Sequence, residues 1–330
     1  MKKAILFACC MMLIWAAQAQ NRKYMANFSQ FRQYYNPALT GADGSAVKSL
    51  YRNQWTGFKD APKTILATAE LDMDMLGHKK SGYFRGQGQR SEPPKFGAKH
   101  ALGLTLLHDQ FGPARELQVG LSYGSAIRIS EALSLRWGTA LTYTAHSLDG
   151  NSLTLEEEND PRFSNILGQQ NRSGKGDINL GLTLTSENYY IGYAMKDATA
   201  GKLLSTGDDY LADFETRKQI VTAGYRADIS KNIGFAINAL FQHDGKEKAL
   251  LEGQAKTIYN NMLWVGAGYR NDKAYHVSAG LQLDRFAVGY TYETSSQGSE
   301  SINKATNEIT LGYLLQRGKS DHQQKPTKIW

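Results

Sequence analysis

The sequence predicts an all-β chain: a transmembrane antiparallel β-barrel of the outer membrane, of about fourteen strands within a range of roughly twelve to sixteen. Three observations predict it. Segment after segment alternates with period two, apolar residues on one flank and small or polar ones on the other. Lipid outside and an enclosed polar interior impose that pattern. Beyond the N-terminus there is no apolar run of the length a membrane helix needs, about 18 residues or more. Third, the connections between segments alternate between short and long, as barrel turns and loops do. A mean hydropathy of −0.46 fits, because only every second strand residue would face lipid. A soluble β-sandwich also alternates, but Tyr143, Tyr225, Tyr269 and Tyr292 sit near the ends of apolar faces, where an interfacial aromatic girdle belongs.

At the N-terminus, Met1-Lys2-Lys3 precedes the apolar run Ala4 to Trp15, and Ala17-Gln18-Ala19 offers the small residues of a cleavage site. Residues 1–19 are therefore expected to be a cleaved signal peptide, too short to span a bilayer. A lipoprotein signal ending before Cys9 would leave an apolar region of only about five residues, shorter than such signals need. Cys9 and Cys10 are the only cysteines, so the mature chain offers no disulfide, thiolate metal site or cysteine nucleophile. Loss of Lys2 and Lys3 lowers the formal charge from +7 to +5, a mild basicity that suits an anionic envelope surface and does not single out nucleic acid.

Residues 20–44 are expected to form an N-terminal periplasmic or plug segment. Pro37 fixes its own φ and pushes Asn36 toward extended backbone, and Gly41 and Gly44 permit a tight turn. Residues 45–316 are assigned to the barrel, with strands near 46–56, 63–73, 98–108, 115–128, 132–146, 177–185, 188–195, 217–228, 232–243, 247–258, 262–270, 273–282, 285–294 and 306–316. The faces are clear in single segments: Leu133, Leu135, Trp137, Leu141 and Tyr143 oppose Ser134, Arg136, Gly138, Thr142 and Thr144. An even count puts both termini in the periplasm. Short turns are then expected at Ile129-Ser130-Glu131, Ser186-Glu187-Asn188, Ile229-Ser230-Lys231, Asn260-Asn261 and Leu283-Asp284. Long outer loops are expected at Ser147–Gly176, Lys196–Thr216 and Ser295–Ala305. The basic loop 74–97 is the exception, long on the short-turn side. It reads as a solvated glycine-rich loop or a patch for lipid headgroups or an acidic partner. Residues 317–330 form a polar C-terminal periplasmic tail.

No chemistry stands out. The histidines are scattered without metal-ligand spacing, and Gly86-Gln87-Gly88 and Gly266-Ala267-Gly268 lack the third glycine and the following helix of a dinucleotide site. His108-Asp109 and His243-Asp244 fall at strand ends, where a histidine–carboxylate pair could activate water, or where a polar turn simply begins. No enzyme activity, cofactor or metal is expected. Arg52, Arg136, Arg226, Arg270 and Glu308 fall on or near the inward faces, where charges must be paired or hydrated; a structural network holding the N-terminal segment is the reading they suggest.

Three spaced blocks carry a resemblance: Asn36-Pro37-Ala38-Leu39-Thr40-Gly41, Tyr51-Arg52-Asn53-Gln54-Trp55 and Pro62-Lys63-Thr64. Together with Leu263 to Arg270 and Gly289 to Glu293, they resemble the PorP/SprF family of outer-membrane proteins of type IX secretion and gliding, across nearly the whole mature chain. The resemblance implies a non-enzymatic outer-membrane component that assists export or surface anchoring of a secreted adhesin with a C-terminal sorting domain, alongside other secretion or motor components and outer-membrane lipid. It singles out Asn36, Pro37, Gly41, Tyr51, Arg52, Gln54, Trp55, Pro62, Lys63 and Thr64 as structural or partner-binding positions that shape the first hairpin. Where family members often carry His-Glu in the last strand, this chain has Asn307-Glu308. A passive porin or hydrophobic-substrate channel is the alternative.

Overall fold

The computed structural model describes residues 24–73, 99–152, 170–207, 216–245, 249–271, 274–294 and 304–315. The expected signal peptide, the basic loop 74–97 with Gly86-Gln87-Gly88, and the expected tail 317–330 lie outside the described residues.

The described strands are β1 (Ala46–Asn53), β2 (Lys63–Asp72), β3 (His100–Phe111), β4 (Ala114–Arg128), β5 (Ser134–Asp149), β6 (Gln170–Thr185), β7 (Tyr189–Lys196), β8 (Leu204–Gly207), β9 (Lys218–Asp228), β10 (Ile233–His243), β11 (Leu250–Tyr259), β12 (Leu263–Arg270), β13 (Ala274–Leu283), β14 (Phe286–Glu293) and β15 (Thr306–Leu314). Each pairs antiparallel with its sequence neighbours except around the short β8, which pairs only with β6 while β7 pairs with β9. β1 pairs with β15, so fourteen strands close on themselves. Closure removes the sheet edges that a bilayer does not tolerate.

The burial pattern is inverted relative to a soluble protein. Leu102, Leu104 and Leu106 on β3, Leu117, Val119 and Leu121 on β4, and Val288, Tyr290 and Tyr292 on β14 are exposed, while their neighbours point inward and are covered. Exposed leucines on strand after strand are stable only against acyl chains, so this face is the lipid-wetted one.

At the end carrying the start of β1 and the end of β15, short turns join β4 to β5, β6 to β7, β9 to β10, β11 to β12 and β13 to β14. At Asn260-Asn261 both residues have positive φ (51° and 53°), and the Met262 amide donates to the Tyr259 carbonyl at 2.9 Å. This is the mirror-image turn whose twist matches a hairpin. At the other end the wall is uneven. β5 and β6 run 16 residues each, against 8 for β1 and β14. At about 3.4 Å per residue that is roughly 54 Å against 27 Å, so β5 and β6 rise well past the lipid band. The expected outer loop Ser147–Gly176 is accordingly shorter than the alternation suggested. Residues 170–176 (QNRSGKG) are polar or small on both flanks, because strand above the bilayer has no apolar face to present. The same absence of pattern hid β8.

Candidate functional site

Among the described residues, side chains from many strands converge in the barrel interior, and they converge on residues 24–44. This segment makes a 3-10 turn at Phe28–Gln30, a single helical turn at Arg32–Tyr35 and a second 3-10 turn at Pro37–Leu39. Asn36 is extended (φ −143°), as the residue before a proline must be, and its side-chain oxygen accepts from the Ala38 amide at 3.0 Å. Asn36 is thus the cap and Pro37 the first turn residue, the pairing favoured where a helix begins. Gly41 (φ 73°) then turns the chain.

The Asn36–Gly41 turn lies against a wall of glycines. A Cβ at Gly138 would sit 2.6 Å from the Ala38 nitrogen and closer still to the Pro37 carbonyl; one at Gly124 would sit 2.8 Å from the Thr40 carbonyl oxygen; one at Gly181 would overlap the Asn36 amide. Only hydrogen side chains on these neighbouring strands let backbone meet backbone. Around that contact the turn is held by polar side chains of the wall. Arg136 donates to the carbonyls of Ala38 (3.0 Å) and Thr40 (2.9 Å), the Asn36 amide donates to the Thr183 hydroxyl (3.0 Å), and Thr40 meets Ser122 (3.0 Å). Glu70 accepts from the Gly41 amide (2.7 Å) and pairs with Lys48 (3.3 Å), which also pairs with Asp43 (2.7 Å); Arg32 pairs with Asp43 as well.

Across the lumen a second cluster grips residues 24–29. Glu308 accepts from the amides of Ala26 and Asn27, each at 3.0 Å, and meets Arg52 at 3.3 Å. Arg52 also meets Glu293 (2.7 Å), whose carboxylate takes both guanidinium nitrogens of Arg270 (3.2 and 3.0 Å). Lys256 donates to Asn27 (2.5 Å) and Ser29 (3.0 Å) and lies 4.5 Å from the Trp264 ring centroid; Arg270 lies 4.2 Å from that of Tyr24. Two arginines alternating with two carboxylates balance charge where an unpaired ion would be costly.

Between the two clusters the interior is apolar. Leu50, Leu66, Leu107, Ala194, Ile220, Leu240 and Leu250 point inward and pack on Met25, Phe28, Phe31 and Tyr35. This corrects the expectation of a uniformly polar lumen. A water-filled bore selects polar side chains, whereas an interior filled with protein needs an apolar layer, each large side chain contributing roughly 1.5–3 kcal/mol. Toward the long-loop end, Lys196 sits 3.6 Å from the centroid of Tyr34, and Asp177 holds the following turn through the amides of Thr199 (2.8 Å) and Gly201 (2.6 Å).

The residues singled out from sequence divide among three places. Asn36, Pro37, Gly41, Arg52 and Thr64 lie inside, whereas Tyr51 and Lys63 face outward and are exposed. Gln54, Trp55 and Pro62 shape the β1–β2 connection, where the Gln54 amide donates to the Pro62 carbonyl (2.9 Å) and Trp55 packs edge-on against Phe58 and Phe111. Arg136, Arg226, Arg270 and Glu308 are inward and buried. Lys48, Glu70, Lys256 and Glu293 were not singled out, although charged residues at inward parity in otherwise apolar strands are themselves the signal. His108 and His243 are exposed on β3 and β10, far apart in the strand order. Gly266-Ala267-Gly268 lies within β12, packed by Lys256 and His276. Among the described residues no cluster of metal-binding side chains occurs.

Solved structures with a similar course include the outer membrane protein Omp33 of Acinetobacter baumannii (10% identity, TM-score 0.45, 82% of this chain and 97% of that one). The toluene transporter TbuX of Ralstonia pickettii (8%, 0.45, 86% and 93%) and a FadL homologue of Pseudomonas aeruginosa (7%, 0.42, 85% and 93%) are others. Likeness at this level carries no inference about what passes through or binds to this barrel. No curated protein sequence matches significantly. The profile of the type IX secretion system membrane protein PorP/SprF, however, matches residues 17–313. The chain belongs to the PorP/SprF family of type IX secretion system membrane proteins.

Proposed function

We propose that this protein is a plugged outer-membrane barrel that helps export a partner adhesin carrying a C-terminal sorting domain, or holds it at the surface, in concert with other secretion or motor components. Family membership supports the pathway. The observation that carries the mode of action is the filled lumen: residues 24–44 cross it from Glu308 on β15 to Gly138 on β5, with an apolar layer between. A barrel so filled acts through its surface and loops, which weighs against the passive porin. The ten positions Asn36, Pro37, Gly41, Tyr51, Arg52, Gln54, Trp55, Pro62, Lys63 and Thr64 then serve the docked segment and the rim of the first hairpin. Both termini are periplasmic in this reading, and the fold and family are those of a secretion component, not an enzyme class.

The test is deletion of the gene with surface labelling of sorting-domain proteins. Loss of one adhesin from the surface with small-solute uptake unchanged is the expected result; altered uptake with normal display would favour the channel. Orientation is read separately. In a chain whose only cysteines are in the signal, Lys59→Cys should react with an impermeant maleimide on whole cells and Ser230→Cys should not.

A further inference from the structure

The outward face carries a constellation that the lumen does not use. Lys63 on β2, Gln110 on β3 and Arg115 on β4 are register partners in a single row. Strand spacing puts the two cations about 10 Å apart with Gln110 between them. One step toward the bilayer the row is Ile65, His108 and Leu117, and the next are Ala67, Leu106, Val119 and then Ala69, Leu104, Leu121. Lys63, His108 and Arg115 are exposed. Every outward position on these three strands from the row of Lys63 to the row of Leu71, Leu102 and Tyr123 lacks a carboxylate. The acids at this level, Asp109 and Glu116, turn inward, to Thr64 and His146 respectively.

We propose that this row is a binding site for a phosphate group of an outer-leaflet glycolipid of the lipid A kind. Lys63 and Arg115 hold the phosphate from either side, Gln110 and His108 donate to its remaining oxygens, and the acyl chains run down the leucine rows beneath. Charge complementarity selects the anion, because two cations with no carboxylate at the outward positions of their three strands present a net attraction that lipid contact strengthens by excluding water. Continuity with the exposed leucines selects a lipid over a free ion, since a soluble phosphate would leave that apolar face unmatched. The outer leaflet follows from the orientation proposed above, on which this inference rests. It gives Lys63, exposed on the lipid side of a strand end, a specific role.

The experiment uses the full-length protein in detergent, with diphosphoryl lipid A, its dephosphorylated form, phosphatidylglycerol and inorganic phosphate as separate probes, and native mass spectrometry or fluorescence titration as the readout. Wild type should prefer diphosphoryl lipid A to the dephosphorylated form by about tenfold or more, the scale of one charged hydrogen bond. Lys63→Gln with Arg115→Gln should abolish the preference, Lys63→Arg should retain it, and Lys231→Gln, in the β9–β10 turn at the opposite end, should leave it unchanged. Heat-modifiable migration on gels certifies that each variant is a folded barrel. Equal binding of the two lipid A forms, an unaffected double variant, or full competition by inorganic phosphate overturns the site. Stronger binding of phosphatidylglycerol overturns the glycolipid assignment and leaves the adhesin-display test standing by itself.

Discussion

The contact between Gly138 and the Pro37-Ala38 peptide permits a worked prediction. A Cβ added at residue 138 would lie 2.6 Å from the Ala38 nitrogen, roughly 1 Å inside an ordinary contact of about 3.5 Å. The obstruction is backbone, so no rotamer change relieves it. The turn could leave, but that would break both Arg136 bonds and the Asn36–Thr183 and Thr40–Ser122 bonds. At roughly 1.5–3 kcal/mol for each charged one, ejection costs more than overpacking, which is typically about 1–3 kcal/mol. Gly138→Ala should therefore keep the segment docked and lower stability by about 1–3 kcal/mol. Gly120→Ala, whose Cβ would meet Thr142 at 3.4 Å, and Gly253→Ala, which meets nothing within 4 Å, should stay within about 0.5 kcal/mol of wild type. The assay is urea unfolding in lipid vesicles followed by tryptophan fluorescence, with Trp137 beside the substitution. Repeating it in a chain lacking residues 24–44 completes a double-mutant cycle, in which the Gly138→Ala penalty should vanish. A penalty that survives the truncation, or Gly138→Ala indistinguishable from Gly120→Ala, would refute the docking argument.

Other outcomes follow from the same contacts. Deleting residues 24–44 should raise single-channel conductance in planar bilayers, and an unchanged trace would count against the filled lumen. Glu293→Gln leaves Arg52 and Arg270 facing each other without their shared carboxylate, and should cost roughly 3–5 kcal/mol in vesicle unfolding, the scale for breaking a buried pair. A cost near zero would mean water reaches the cluster. Lys256→Met orphans Asn27 and Ser29 for roughly 1–3 kcal/mol, and should speed protease cleavage near residues 24–29 while leaving the Asn36–Gly41 turn protected; uniform loosening would contradict two independent grips.

The barrel was legible in the sequence because lipid imposes its own alternation. The strands near 217–228 and 262–270 differ from β9 and β12 by a residue at one end, and the inward arginines were placed by parity alone. The β6 extension and β8 were hidden because above the bilayer nothing enforces a face. The apolar layer was hidden differently. Leu50, Leu66 and Leu107 share one row across three strands, but a leucine at inward parity in one strand looks like a lapse in the pattern until register aligns it with its neighbours. The role of the Asn36-Pro37 turn was out of reach for the same reason. Its partners are glycines far along the chain, and a glycine in a strand announces close approach without saying of what.

Glu308 has a consequence for biogenesis. It lies on β15, the last of the described strands, yet it accepts from the amides of Ala26 and Asn27, just ahead of the first strand, while β15 pairs with β1. Closing the seam and seating the segment thus draw on one carboxylate: a barrel shut on a vacant bore would keep Glu308 against Arg52 but without the two amides it accepts from. The strand that completes the wall thereby also fastens the lumen's occupant.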